Sequence, residues 1–227
     1  MSRHLQRDIE SINQELLNIS SMVEEMIDKA TQALNERKYN LADEVVNSDG
    51  YVDEHEVHVE EECLKMLALH QPVAVDLRRI ATVMKVNNDL ERIADLAVSI
   101  AQRAKAMESY PAFPIPDQLP RMVVISTQMV RGSMDALVNL DSAYARRIMA
   151  MDNQVDQLNR DIIAELQEVM QAQPNLVPAA LHCFSAVRHT ERIADHATNI
   201  AEDVVYLVEG EIVRHRRDKS KEGALKS

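Results

Sequence analysis

The pentapeptide ERIAD occurs twice, at Glu91–Asp95 and at Glu191–Asp195, an offset of 100 residues. A second acidic pair travels with it. Asp49 and Asp53 in SDGYVDEHE align with Asp152 and Asp156 in MDNQVDQLN at an offset of 103. Two motifs in register, with a three-residue difference assigned to the turn between the helices that carry them, point to duplication of one structural unit. The fold must therefore place the same acidic pattern twice, in units of about 110 residues each.

The periodicity of the units is helical. Apolar residues at Leu5, Ile9, Ile12, Leu16, Ile19, Val23 and Met26 alternate steps of four and three, which puts one continuous stripe on a helix ending near Arg37. A second helix is predicted from about Asn40 to Leu69, stopped by HQP because Pro72 cannot continue it, and a third from Val73 to about Glu108. SYPAFPIPDQLP holds four of the seven prolines and reads as an extended linker. Helical patterns resume over about Leu119–Asn139, Asp141–Gln171 and Val177–Val213. The composition agrees, being 46% hydrophobic yet 3% aromatic, with 12 Met and only 4 Gly. The expected fold is all-α: two tandem three-helix bundles over 1–108 and 121–213, a Pro-rich linker over 109–120, and a basic disordered tail over 214–227.

Charge and cysteines narrow the function. The formal charge of -12 would repel a nucleic-acid backbone or an anionic membrane over most of the surface. No window approaches the apolar length of a membrane span, and the charged opening MSRHLQRDIESI does not resemble a secretory leader. Cys63 and Cys183 lie far apart without metal-ligand spacing, so both are expected in the core of a cytoplasmic protein.

The duplicated acids carry the chemistry. Glu91 and Asp95 are four apart, as are Asp49 and Asp53, so each pair stacks on one helix face. If the second and third helices of each half are antiparallel neighbours, four carboxylates converge per half: Asp49, Asp53, Glu91 and Asp95, then Asp152, Asp156, Glu191 and Asp195. Two such charges about 4 Å apart repel by about 4 kcal/mol at an effective dielectric near 20. The cluster calls for a cation or open water. All-oxygen ligands favour Mg, Mn or Ca, while iron and zinc usually take histidine or cysteine as well. The alternative is a solvated surface with Arg92–Asp95 and Arg192–Asp195 ion pairs of a few tenths of a kcal/mol.

Other clusters are weaker. His55, His58 and Glu62 share a face, but the second half has Leu158, Asp161 and Glu165 there, so exposed surface is expected. His189 and His196 flank the second ERIAD, and Asp76 suits the positive end of the third helix. A di-iron carboxylate enzyme would need Glu-x-x-His, whereas each ERIAD glutamate is followed three residues on by Ala94 or Ala194. No glycine-rich phosphate loop is present, and no enzyme is expected. A carboxylate-bridged metal enzyme and a plain coiled-coil scaffold are the rivals.

The stretches QPVAVDLRRIATVMKVNNDLERIADLAVSIA and VRHTERIADHATNIAEDV, with the two Asp pairs ahead of them, resemble the PhoU family of phosphate-uptake regulators. The resemblance implies a cytoplasmic helical homodimer that represses the phosphate-starvation response by contact. Its implied partners are the ATPase subunit of a phosphate ABC transporter and a sensor histidine kinase. It also implies divalent metal ions (Fe, Zn, Mn or Mg) on the eight carboxylates named above. An accessory role for a low-affinity phosphate transporter is the alternative within that resemblance. The family motif often reads ERIGD, and Ala94 and Ala194 replace that glycine here.

Overall fold

The computed structural model describes residues 3–213; the basic tail expected over 214–227 lies outside the described residues. Six long helices follow in order: α1 Arg3–Glu36, α2 Tyr39–His70, α3 Ala74–Ala106, α4 Leu119–Asn139, α5 Ser142–Ala172 and α6 Val177–Glu209. The described residues form no strands. Short 3₁₀ turns sit at Met107–Ser109 and Pro174–Leu176.

Local chemistry sets most of these ends. α2 stops where Gln71 adopts a left-handed φ of 44° ahead of Pro72, its N–H returning to the Leu67 carbonyl. Asp141 caps α5 by accepting the Tyr144 N–H at 2.8 Å. The sixth pattern, read to Val213, stops at Glu209 instead, because Gly210 takes φ 76° and bonds the Tyr206 carbonyl. The three-residue difference between repeats falls mainly at the start of the third helix of each half. Three residues connect α2 to α3 and four connect α5 to α6, yet Glu91 is the 18th residue of α3 and Glu191 the 15th of α6.

Within the first half the helices run up and down. Lys29 meets Glu44 at 3.0 Å and His70 meets Asp8 at 3.0 Å, which sets α2 antiparallel to α1. Lys105 meets Asp43, and Asn87 Nδ2 donates to the Glu56 carbonyl at 2.8 Å, which sets α3 antiparallel to α2. In the second half Arg146 meets Glu209 at 2.6 Å, joining the start of α5 to the end of α6. The α1 stripe from Leu5 to Met26 is buried as its spacing requires.

The halves are not beads on a string. α3 packs along α6 and α1 against α4, where Arg131 Nε reaches Glu24 at 2.8 Å, so one apolar core runs through both repeats. Along α3 and α6 the register is antiparallel: Arg78 lies against Tyr206, Lys85 against Asp203, and Asp89 against His196. ERIAD therefore sits at the middle of this seam from both sides. Ile93, Ala94 and Ala97 of α3, with Ile193, Ala194 and Ala197 of α6, are all buried. The linker contributes as well, since Phe113 and Pro116 are buried rather than spanning solvent.

Gly132 marks the tightest approach between α4 and α5. A Cβ there would stand 2.4 Å from Ile148 Cδ1 and 2.9 Å from the Tyr144 hydroxyl. Ile148 is itself buried and has little room to move. Gly132→Val is expected to lower stability by about 1–3 kcal/mol through overpacking. Urea unfolding of both proteins checks it.

Candidate functional site: two carboxylate grooves

The seam decides where the acids go. With the Ile and Ala side chains of each ERIAD committed to the core, Glu91 and Asp95 share the α2 side with Asp49 and Asp53. Burial first, then the charges of Asp53 and Asp95, push the Asp49 carboxyl above its usual range. Burial and Asp95 do the same to Glu91, opposed by Arg92 and reinforced by Glu56 and Asp53. The four expected carboxylates of the first half thus share one field.

The second half repeats the arrangement on α5 and α6. Asp195 is pushed up to about 6, by desolvation first and then by Glu191, Asp152 and Asp156, against a smaller pull from His196. Part of the Asp195 side chain meets solvent, while protein crowds the rest of it. Asp152 is buried and Asp156 half-buried.

The two ERIAD glutamates share one further property. Glu91 Oε2 and Glu191 Oε2 are each buried without a hydrogen-bond partner. Arg92 Nε lies 3.5 Å from Glu91 Oε2 without hydrogen-bonding geometry, whereas Arg188 Nη1 donates to Glu191 Oε1 at 3.0 Å and leaves Oε2 bare. Buried carboxylate oxygens ordinarily find donors. The donor chemistry, all oxygen and partly desolvated, fits a hard divalent cation. As the side chains stand, no three His, Cys, Asp or Glu among the described residues close around an ion, so binding would require the carboxylates to swing inward.

The expected surface pairs are half realised. Arg92 reaches Asp95 at 4.0 Å, but Arg192 instead lines a cleft with Asp49, Asp95 and Arg92, carrying a charge from the second motif to the first. His196 is drawn away from its own groove to Asp89 at 2.8 Å. His55 and His58 face Glu15 of α1, with His55 3.6 Å from it. Cys63 and Cys183 are buried free thiols, each pushed up to about 12 chiefly by burial. Ala94 and Ala194 put their methyl groups into the core.

One participant was missed in the sequence. Glu56 acts on Glu91 and is itself raised by burial, Glu60 and Asp53. Its spacing of three from Asp53 held the signal, but its counterpart in the second half is Asn159, so a search for duplicated acids passes over it. Asn159 is buried and its Oδ1 is unpartnered.

A family model described as the PhoU domain matches the chain twice, over residues 16–104 and 119–204. The chain belongs to the PhoU family. Each matched segment carries one ERIAD and its partner Asp pair, so the PhoU repeat coincides with the duplication read above. The phosphate-specific transport system accessory protein PhoU homolog of Aquifex aeolicus is 38% identical, over 95% of this chain and 97% of its own length. That of Deinococcus radiodurans is 35% identical, over 92% and 99%. The crystal structure of PhoU from Pseudomonas aeruginosa has a TM-score of 0.87 at 33% identity, covering 91% of this chain and 99% of that one. Among the described residues no helix is long and apolar enough to cross a membrane.

The raised Asp195 has a consequence for stability. Its carboxyl titrates near 3.8 when free and near 6 when folded, so between those values the native state holds a proton that unfolding releases. Stability from this group is therefore present at low pH and falls as pH rises through about 6. Asp195→Asn should add up to about 1 kcal/mol at pH 7, discounted for solvent contact, and raise Tm by about 2–4 °C. Near pH 4 the gain should vanish; thermal melts at both pH values check it.

Proposed function

We propose that this PhoU-family protein is a negative regulator of the phosphate-starvation response and a modulator of phosphate uptake. It acts as a cytoplasmic adaptor between the ATPase subunit of a phosphate ABC transporter and a sensor histidine kinase. The names of the relatives, accessory proteins of phosphate-specific transport systems, support the transport connection. The observation that carries a role for the site is the duplicated groove, in which each ERIAD glutamate keeps a buried oxygen without a hydrogen bond.

In this reading the grooves take divalent cations. Asp49, Asp53, Glu91 and Asp95 would hold one group of ions, and Asp152, Asp156, Glu191 and Asp195 the other. The cation supplies positive charge that relieves carboxylate repulsion and orders the outer helices on the seam. Arg92 and Arg192 lie in the same cleft as Asp49 and Asp95 and keep its net charge from becoming more negative. The residues bind and position; no bond-making step is assigned to them.

The test is a reporter of the starvation response, alkaline phosphatase expression, in phosphate-rich bacteria lacking their own PhoU. Wild type should silence it. A variant with Glu91, Asp95, Glu191 and Asp195 changed to Ala, shown by circular dichroism to be folded, should leave expression several-fold higher. Failure of wild type to silence the reporter contradicts the regulatory role, and full silencing by the variant removes the grooves from it.

A further inference from the structure

The duplication supplies an internal control for every contact along the seam. At one end of it, Lys85 of α3 holds Asp203 of α6 at 3.1 Å, and Asp89 of α3 holds His196 of α6 at 2.8 Å. One repeat away, the same four positions are Ser185, Arg103, His189 and Leu96. The acceptors have gone: Arg103 stands where Asp203 does, facing a region with Ser185 in place of the lysine, and His189 stands where Asp89 does, with Leu96 in place of its histidine partner.

The consequence is visible in the contacts. Among the described residues Arg103 forms no ion pair, and its Nε is buried without a hydrogen-bond partner. His189 Nδ1 is buried and unpartnered as well. His182 lies seven residues earlier, on the same face of α6, with its ring 5.7 Å from that of Tyr110. Arg37, from the turn between α1 and α2, donates to the Tyr110 carbonyl at 3.2 Å. Cationic and donor groups thus arrive from α3, α6 and the α1–α2 turn, in a chain whose formal charge is -12. Arg103, His182 and His189 are each half-buried, while Arg103 Nε and His189 Nδ1 are themselves closed to solvent, so a small anion would reach these two donors only by displacing the side chains that cover them. Burial and the Arg103 charge both hold the His182 imidazole below its ordinary range, the effect of a site short of negative charge.

We propose that Arg103, His182 and His189 form a binding site for a phosphate-type oxyanion, at the end of the α3–α6 seam opposite Lys85–Asp203. A guanidinium offers charge-assisted hydrogen bonds to such an anion. Two imidazoles two helical turns apart add donors from other directions, which suits a tetrahedral anion better than a planar carboxylate. His189 takes part as its Nδ1–H tautomer. The assignment rests on the unpaired donors and on the comparison of repeats, and stands apart from the regulatory reading because it concerns the isolated protein.

Equilibrium dialysis of the purified full chain against radiolabelled inorganic phosphate, at fixed ionic strength, tests it. Saturable binding at one site per chain is expected, and Arg103→Gln should weaken it by at least about tenfold. His182→Asn, a milder change should Arg103→Gln fail to fold, should weaken it several-fold. Competition by AMP separates the sources: tighter binding of AMP assigns the site to a phosphate ester, weaker binding to free phosphate, and either supports an oxyanion site. Absence of saturable binding at millimolar phosphate overturns the proposal, as does unchanged affinity in a folded variant.

Discussion

Two helices from different repeats lie antiparallel, pinned by Lys85–Asp203 and Asp89–His196, with an ERIAD motif at the middle of each whose Ile and Ala side chains are buried. Each buried Ile or Leu contributes roughly 1.5–3 kcal/mol, and α3 and α6 together bury Leu90, Ile93, Ile100, Ile193 and Ile200 with a run of alanines. Against this stands a carboxylate repulsion of about 4 kcal/mol for a pair 4 Å apart at intermediate dielectric. Burial exceeds repulsion, so the fold can hold Asp49, Glu91 and Asp195 in surroundings that raise their carboxyls above the usual range. The grooves follow from the seam: once one face of ERIAD is spent on helix packing, the acidic face must meet α2 or α5.

Much of this was legible in the sequence because its signals are local. The 3–4 spacing of apolar residues gave six helices, and Pro72, Asp141 and the proline cluster marked their limits. The convergence of Asp49 and Asp53 on Glu91 and Asp95 followed from helix periodicity and an up-down order. The packing of one half on the other did not follow, because a stripe on one helix does not name its partner. A proline-rich segment that reads as an extended linker buries Phe113 and Pro116. Gly210 ended α6 early through a left-handed cap whose signal was a single glycine. Glu56 was invisible to a duplication argument since Asn159 replaces it.

The repeats are most alike where the acids are and least alike at the seam's ends. Both glutamates keep a buried oxygen without a hydrogen bond, both aspartates lie four residues on, and both alanines face the core. At the ends, by contrast, Lys85 and Asp203 neutralise each other while Arg103 and Ser185 do not. The pattern is that of a unit whose centre is fixed by helix packing and whose ends were free to differentiate. In the adaptor role proposed above, such asymmetry would let two copies of one unit meet two different partners.

The central claim, that the fold holds carboxylates in repulsive grooves that a divalent cation relieves, is tested most directly by thermal unfolding during a manganese titration. The account predicts a saturable rise in Tm with Mn²⁺, larger than that given by sodium at equal ionic strength and lost when Glu91 and Glu191 are changed to Gln. An identical response to Mn²⁺ and to sodium would contradict it.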